Sequence, residues 1–370
     1  VGIADQVSAS IRAISPYQPG KPIGELAREM GLREADIVKL ASNENPLGMS
    51  HKAREAIARE LHDLPRYPDG NGFELKAALS ARTGIAPNRI VLGNGSNDVL
   101  DLVARTFLSP GDEAIFSEHG FAVYPISTLA AGGVPVQVPA KDFGHDLDAM
   151  VAAITPRTRV IFIANPNNPT GTFLPGAALA TFLARVPDEV VVVLDEAYTE
   201  YLPVEDRYDS IAWLARFPNL IVSRTFSKAY GLAGLRVGFG LASVELIDLL
   251  NRVRQPFNVS SLALAAAAAA LGDQEFVARS AELNRRGMVQ LTGAFGRLGL
   301  EWIPSWGNFV TVRVGDAARV NQQLLRQGVI VRPIAGYGLP EWLRVSIGLP
   351  EENARFIEAL GRVLDTEAAS

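Results

Sequence analysis

An α/β fold is predicted, with a mostly parallel central sheet, helices on both of its faces, and a smaller α+β domain behind it. Three observations predict it. Between about residues 89 and 252, short β-branched runs alternate with amphipathic segments, the rhythm of βα units. The run Val190-Val191-Val192-Val193-Leu194 is apolar at every position, as a strand buried on both faces requires. Past Gln255-Pro256 the alternation stops, and long helical segments lead into short strands.

Residues 1–45 carry two turn clusters, Ser15-Pro16-Tyr17-Gln18-Pro19-Gly20 and Ala41-Ser42-Asn43-Glu44-Asn45-Pro46, so we expect an arm running over the main body toward the smaller domain. Residues 46–255 form the large domain. Its strands are expected at 89–92, 113–116, 135–138, 160–164, 190–194, 220–223 and 237–241, and its helices at 51–61, 72–83, 96–108, 123–131, 147–154, 175–184 and 243–252. Residues 256–370 form the smaller domain. Alanine is the best helix former, and Leu262, Leu264 and Leu271 give the alanine run 265–270 groups with which to pack. Strands at 308–313, 329–332 and 342–347 follow, with a closing helix after Pro350.

Composition narrows the function. With 48% hydrophobic and 20% charged residues the chain is ordinary for a globular enzyme. A net charge of −5 without any Lys/Arg run argues against nucleic acid as a partner. There is no cysteine, and His51, His62, His119 and His145 lack ligand spacing, so no metal site is expected. No window approaches the roughly 20 apolar residues of a membrane span, and the first residues do not read as a leader, so a cytoplasmic protein is expected.

Lys228 is the only lysine after Lys141, in a stretch that otherwise uses arginine. Arginine keeps its proton in a protein, whereas a lysine amine can lose it and attack a carbonyl, so the site suits chemistry; the alternative is a solvated surface lysine. Asp195 ends the apolar strand at the edge where open α/β sheets bind ligands. There it could keep a pyridine nitrogen protonated, with Tyr198 near the ring's phenolic oxygen, or it could simply cap the next element. Asn168 lies in Asn165-Pro166-Asn167-Asn168-Pro169-Thr170-Gly171, a turn rigid enough to hold an amide in one orientation, although a connector would have the same composition.

Gly95, Ser96 and Asn97 stand between a strand and a helix and can offer N–H groups to a phosphate, unless Ser96 is only a helix cap. The segment matches neither GxGxxG nor GxxxxGK[ST]. Arg236 would add charge there, helped by the hydroxyls of Thr225 and Ser227. Arg344 interrupts an apolar strand and Arg332 is nearby; together they suggest a fork for one anionic substrate end.

In order along the chain, Asn168-Pro169-Thr170-Gly171, Asp195-x-x-Tyr198, Ser227-Lys228 with Arg236 downstream, and Arg344 resemble the aspartate-aminotransferase-like, fold-type-I enzymes that use pyridoxal phosphate. Within these class I and II aminotransferases, Pro16-Tyr17-x-Pro19-Gly20-Lys21-Pro22, Ser42-Asn43-Glu44-Asn45-Pro46-x-Gly48, Arg66-Tyr67-Pro68-Asp69 and Thr225-Phe226-Ser227-Lys228-Ala229 are similar to the histidinol-phosphate group.

The resemblance implies that Lys228 holds pyridoxal phosphate as an internal aldimine, Asp195 pairs with the ring nitrogen, and Asn168 and Tyr198 bond O3′. It implies that Phe121 stacks on the ring, although that group more often has Tyr there, with Pro-Thr where this chain has His119-Gly120. Gly95, Ser96, Asn97, Thr225, Ser227 and Arg236 would hold the phosphate, joined by Tyr67 from the neighbouring subunit of a homodimer. Tyr17, Asn43, Arg332 and Arg344 would bind substrate. The implied reaction moves an amino group between glutamate and imidazole acetol phosphate. Rival readings are an aromatic or prephenate aminotransferase, kept open because the segment 334–340 resembles a branch of the family where that activity is expected too, a pyridoxal-phosphate decarboxylase, and a non-catalytic cofactor-binding protein.

Overall fold

The computed structural model describes residues 2–368; Val1, Ala369 and Ser370 lie outside the described residues. The arm contributes a two-residue strand, β1 (Val38–Lys39). Then come β2 (Ile90–Gly93), β3 (Glu113–Ser117), β4 (Val134–Val138), β5 (Thr158–Ala164), β6 (Val191–Asp195), β7 (Leu220–Thr225) and β8 (Gly238–Leu241). They form one seven-stranded sheet in the order β2-β8-β7-β6-β5-β3-β4. β8 runs antiparallel to both of its neighbours, and the other pairings are parallel. The reversal has a local cause: the chain returns from β7 to β8 through the loop that carries Lys228 instead of a crossover helix, so it doubles back beside itself.

Alternation along β6 shows why this strand is wholly apolar. Val191 and Val193 face a layer formed by helices Ser96–Phe107, Val123–Ala130 and Val244–Val253, among Val99, Val103, Tyr124 and Leu250. Val192 and Leu194 face the opposite layer, among Leu79, Phe182 and Ala267 from helices Phe73–Thr83, Gly176–Leu183 and Ser261–Leu271. Burying each Val or Leu is worth about 1.5–3 kcal/mol, so the helices are held by the sheet more than by their own propensity. Helix Ser261–Leu271, which contains the alanine run, is thus packed into the core of the large sheet.

Further along are β9 (Trp302–Ile303), β10 (Phe309–Arg313), β11 (Val329–Ile330), β12 (Arg332–Ile334) and β13 (Leu339–Ser346). β12-β13-β10-β9 form an antiparallel sheet that shares a core with helices Gln274–Arg297, Ala317–Arg326 and Pro350–Ala368. The strand expected at 329–332 is two strands in two sheets. β11 pairs parallel with β1 of the arm, and β12 pairs with β13. Leu40 N–H donates to Ile330 O at 2.7 Å and Ser346 N–H to Leu40 O at 2.9 Å, so the arm is laced to this part of the molecule just before Ala41 to Asn43.

β5, β6 and β7 end level, with Ala164 opposite Asp195 and Asp195 opposite Ser223. The loops after them therefore open side by side at one sheet edge. Among the described residues no helix is long and apolar enough to cross a membrane.

Candidate active site

Asp195, the last residue of β6, is 6% exposed. Its Oδ2 accepts a hydrogen bond from the Tyr124 hydroxyl at 2.8 Å, while Oδ1 is buried with no partner. Burial pushes its pKa up to about 6, Glu196 adds to the rise, and the Tyr124 hydrogen bond and Lys228 pull the other way. A buried acceptor without a donor is expensive, so Oδ1 marks a place for an N–H from a ligand.

Lys228 lies on the loop between β7 and β8, which closes on itself through Phe226 N–H to Val237 O at 3.1 Å and Leu232 N–H to Phe226 O at 2.9 Å. Gly231 in this loop has φ +70°, and any Cβ there would run into the Gly48 carbonyl. The Lys228 amine donates to Ser42 O at 3.2 Å and lies 5.7 Å from the centre of the Tyr198 ring. Burial, then the Arg344 cation, brings its pKa down to about 7, with Glu44 opposing. A large fraction of the amine is therefore unprotonated near neutral pH, which a nucleophile and base requires.

The Tyr198 hydroxyl accepts from Asn43 Nδ2 at 3.0 Å, and burial pushes its pKa up to about 12. Asn43 is fixed in turn: its N–H donates to Ser346 Oγ at 2.8 Å, its Oδ1 accepts from the same hydroxyl at 2.9 Å, and its carbonyl accepts from Asn308 at 2.8 Å. Arg344 Nη1 donates to Asn168 Oδ1 at 2.6 Å and Nη2 to Ala41 O at 2.7 Å, leaving Nε buried and unpartnered. Arg332 sits opposite Arg344 across the β12–β13 pair, donates to Gln18 O, and lies 5.5 Å from the centre of the Tyr17 ring.

At the other end, helix Ser96–Phe107 starts from Gly95 at φ +79° with no side chain capping it. Ser96 is therefore not a cap, and with Asp98 N–H donating to Gly95 O at 3.2 Å, the Ser96 and Asn97 N–H groups are the ones left for an anion. Arg236, at φ +57°, donates from Nη1 to Ser227 Oγ at 3.3 Å and to Ala233 O at 3.0 Å. Its guanidinium rests against Gly95, where a Cβ would collide with it. Ser227 N–H donates to Thr225 Oγ1 at 3.0 Å.

All of the residues expected at the site except Gly95 and Tyr67 line one cleft of about 1000 Å³, its open mouth included. Gly95 makes room for Arg236 from behind. Tyr67 is 82% exposed and stacks on Phe257, with ring centres 4.7 Å apart. Sequence reasoning missed Ser42, Glu44, Tyr124, Pro166 and Ala197, which also line the cleft. Tyr124 comes one helical turn after Phe121, and that spacing was the available signal; Ser42 acts through its carbonyl and leaves none.

The donor set fits a pyridine ring carrying a phosphate: a cradle at a helix N-terminus with an arginine, an acid with a free oxygen, and an amine able to lose its proton. Residues 35–360 match the family model described as aminotransferase class I and II. The chain belongs to the class I and II aminotransferases. Among its relatives in this family, histidinol-phosphate aminotransferase 1 of Cupriavidus pinatubonensis is 64% identical over 96% of this chain and 95% of its own. Histidinol-phosphate aminotransferase 2 of Ralstonia nicotianae is 65% identical over 97% and 98%. The aminotransferase fold is equally plain in solved structures. The histidinol-phosphate aminotransferase of Sinorhizobium meliloti, solved in complex with pyridoxal-5'-phosphate, superposes with a TM-score of 0.89 at 29% identity over 98% of both chains. A double mutant of the Thermus thermophilus aspartate aminotransferase gives 0.84 at 27% identity, over 96% of this chain and 99% of its own.

Proposed function

We infer that this chain is a pyridoxal-phosphate-dependent aminotransferase that exchanges an amino group between glutamate/2-oxoglutarate and histidinol phosphate/imidazole acetol phosphate, a step of histidine biosynthesis. One observation supports the chemistry: Lys228, Asp195 with its unpartnered oxygen, Ser96, Arg236 and Arg344 line a single cleft, and the charges of the last two and of Asp195 act on the Lys228 amine. The relatives at 64% and 65% identity support the substrate.

Bound pyridoxal phosphate supplies a carbonyl that condenses with amines and a ring that draws electrons from the substrate's α-carbon. Lys228 Nζ would hold the cofactor and, with its proton given up, would serve as the general base for the substrate's α-proton. Asp195 Oδ1 would accept the ring N–H, Asn168 and Tyr198 would hold the phenolic oxygen, and Phe121 would cover the ring. The cradle of Ser96, Asn97, Thr225, Ser227 and Arg236 would hold the phosphate, with Gly95 admitting the guanidinium. Arg344 forks onto the carboxylate of glutamate or the phosphate of the other substrate, and Arg332, Tyr17 and Asn43 complete that pocket.

Tyr67 is 82% exposed and does not line the cleft of its own chain. A second copy covering the apolar surface of Leu61, Leu64, Tyr67 and Phe73 would bring it to the partner's phosphate. The reading is tested by adding glutamate, then histidinol phosphate, to the holoenzyme and following cofactor absorbance through each half reaction, with kcat/KM for histidinol phosphate set against phenylalanine. Equal or greater efficiency with phenylalanine would move the assignment to aromatic substrates; no spectral change with any amine would end it.

A further inference from the structure

Tyr124 has no part in the chemistry described above, yet it is fully buried and touches two groups that do. Its hydroxyl donates to Asp195 Oδ2 at 2.8 Å. Its ring lies flat on Phe162, with centres 4.8 Å apart and planes 6° apart, and meets Phe121 edge-on at 5.9 Å and 89°. Tyr124 N–H donates to Phe121 O at 3.0 Å. A phenylalanine would satisfy the apolar slot among Phe116, Phe121 and Phe162, so packing alone gives no reason for a hydroxyl there. A buried hydroxyl is tolerated only where it is hydrogen-bonded, and this one is spent on the acid.

We propose that Tyr124 is a positioning residue: by holding Oδ2 of Asp195 it fixes the carboxylate plane, favours the ionised acid, and leaves Oδ1 as the acceptor for the cofactor's ring N–H. The proposal rests on reading Asp195 as the partner of that nitrogen. A carboxylate with neither oxygen held can turn about its last bond, whereas one held by a donor presents the other oxygen in a single direction. A hydrogen bond to the charged form also favours that form. The groups facing Asp195 are Glu196, Tyr198 and the Ala197 N–H from its own strand end, Lys228 from the loop after β7, and Tyr124 from helix Val123–Ala130. Glu196 works against ionisation, Lys228 works for it through space and the Ala197 N–H from the backbone, and Tyr124 is the side-chain donor bonded to Oδ2.

The test uses pyridoxamine phosphate, which cannot bond covalently to Lys228, binding to apoprotein between pH 5 and 8 by calorimetry. Wild type should lose affinity as the pH falls and Asp195 takes up a proton. Tyr124→Phe should move that loss upward by about one pH unit, and Asp195→Asn should bind weakly and keep only the slope that Lys228 and the ligand's phosphate contribute. Should Tyr124→Phe fail to fold, 3-fluorotyrosine placed at position 124 keeps the shape, donates more strongly, and should move the loss to lower pH. An unmoved profile in either Tyr124 protein, with Asp195→Asn behaving as expected, overturns the positioning role and leaves the function standing. Wild-type affinity and profile in Asp195→Asn would overturn the reading of Asp195 itself.

Discussion

Arg224 donates from Nε to Glu196 Oε2 at 2.9 Å, tying the end of β7 to the end of β6 one residue away from Thr225 and Asp195 respectively. The Glu196 side chain is completely buried; Arg224 Nη2 also lies 2.9 Å from Oε2, Ser210 Oγ donates to it at 3.0 Å, and the Tyr208 hydroxyl faces the same carboxylate. Removing the arginine strands a carboxylate in the core, which usually costs about 3–5 kcal/mol. Arg224→Met should lower unfolding stability by that order in urea titrations, and adding Glu196→Gln should recover part of the loss. Additive losses in the double variant would refute the pairing.

Gly95 should resist even alanine. Its φ of +79° disfavours any side chain, and a Cβ would push away the Arg236 guanidinium. Gly95→Ala should weaken pyridoxal phosphate binding by about tenfold or more, equivalent to roughly 1.4 kcal/mol, while the apoprotein loses about 1 kcal/mol. Equilibrium dialysis of the cofactor decides; unchanged affinity would mean that Arg236 does not hold the phosphate.

Lys228 makes the apoprotein's stability depend on pH with a definite sign. Its folded pKa of about 7 lies below the ordinary 10.5, so between those values the unfolded chain binds the extra proton and stability rises with pH. Below about pH 7 the penalty is fully present, at about 1.4 kcal/mol for each pKa unit. Lys228→Met should therefore melt higher than wild type near pH 6.5 and converge with it toward pH 10.5. Parallel melting curves across that range would show that the amine is not held in a desolvated place.

Most of the large sheet was legible in the sequence because its signal is local. The strands expected at 113–116, 160–164 and 220–223 and the helices at 51–61 and 96–108 fall within one or two residues of those found, since β-branched runs and apolar periodicity are properties of the segment itself. Strand direction is not such a property, so the reversal of β8 could not be read. Neither could β1, whose two residues become a strand only because Val329 and Ile330 lie beside them. The same division holds at the site. Lys228, Asp195 and Arg344 announce themselves by chemical type, whereas Tyr124 looks like one more core aromatic until Asp195 is seen at its hydroxyl.

Two crippled proteins should rescue each other. If Tyr67 serves the neighbouring cleft, co-refolded Lys228→Ala and Tyr67→Ala chains form mixed pairs in which one cleft has both an intact lysine and an intact incoming tyrosine. Activity of the mixture above either parent, with mixed pairs seen by native mass spectrometry, is the expected result. Mixed pairs without recovery would assign Tyr67 to its own subunit or to none.

The arm reaches the cleft partly through peptide oxygens: Ala41 O receives Arg344, and Ser42 O receives Lys228. Side-chain scanning cannot see either bond, because every replacement at those positions keeps the same carbonyl. A mutational map of this cleft will understate the arm, and only a backbone edit, such as an ester in place of the amide following Ala41 or Ser42, would weaken these acceptors and reveal how much they matter.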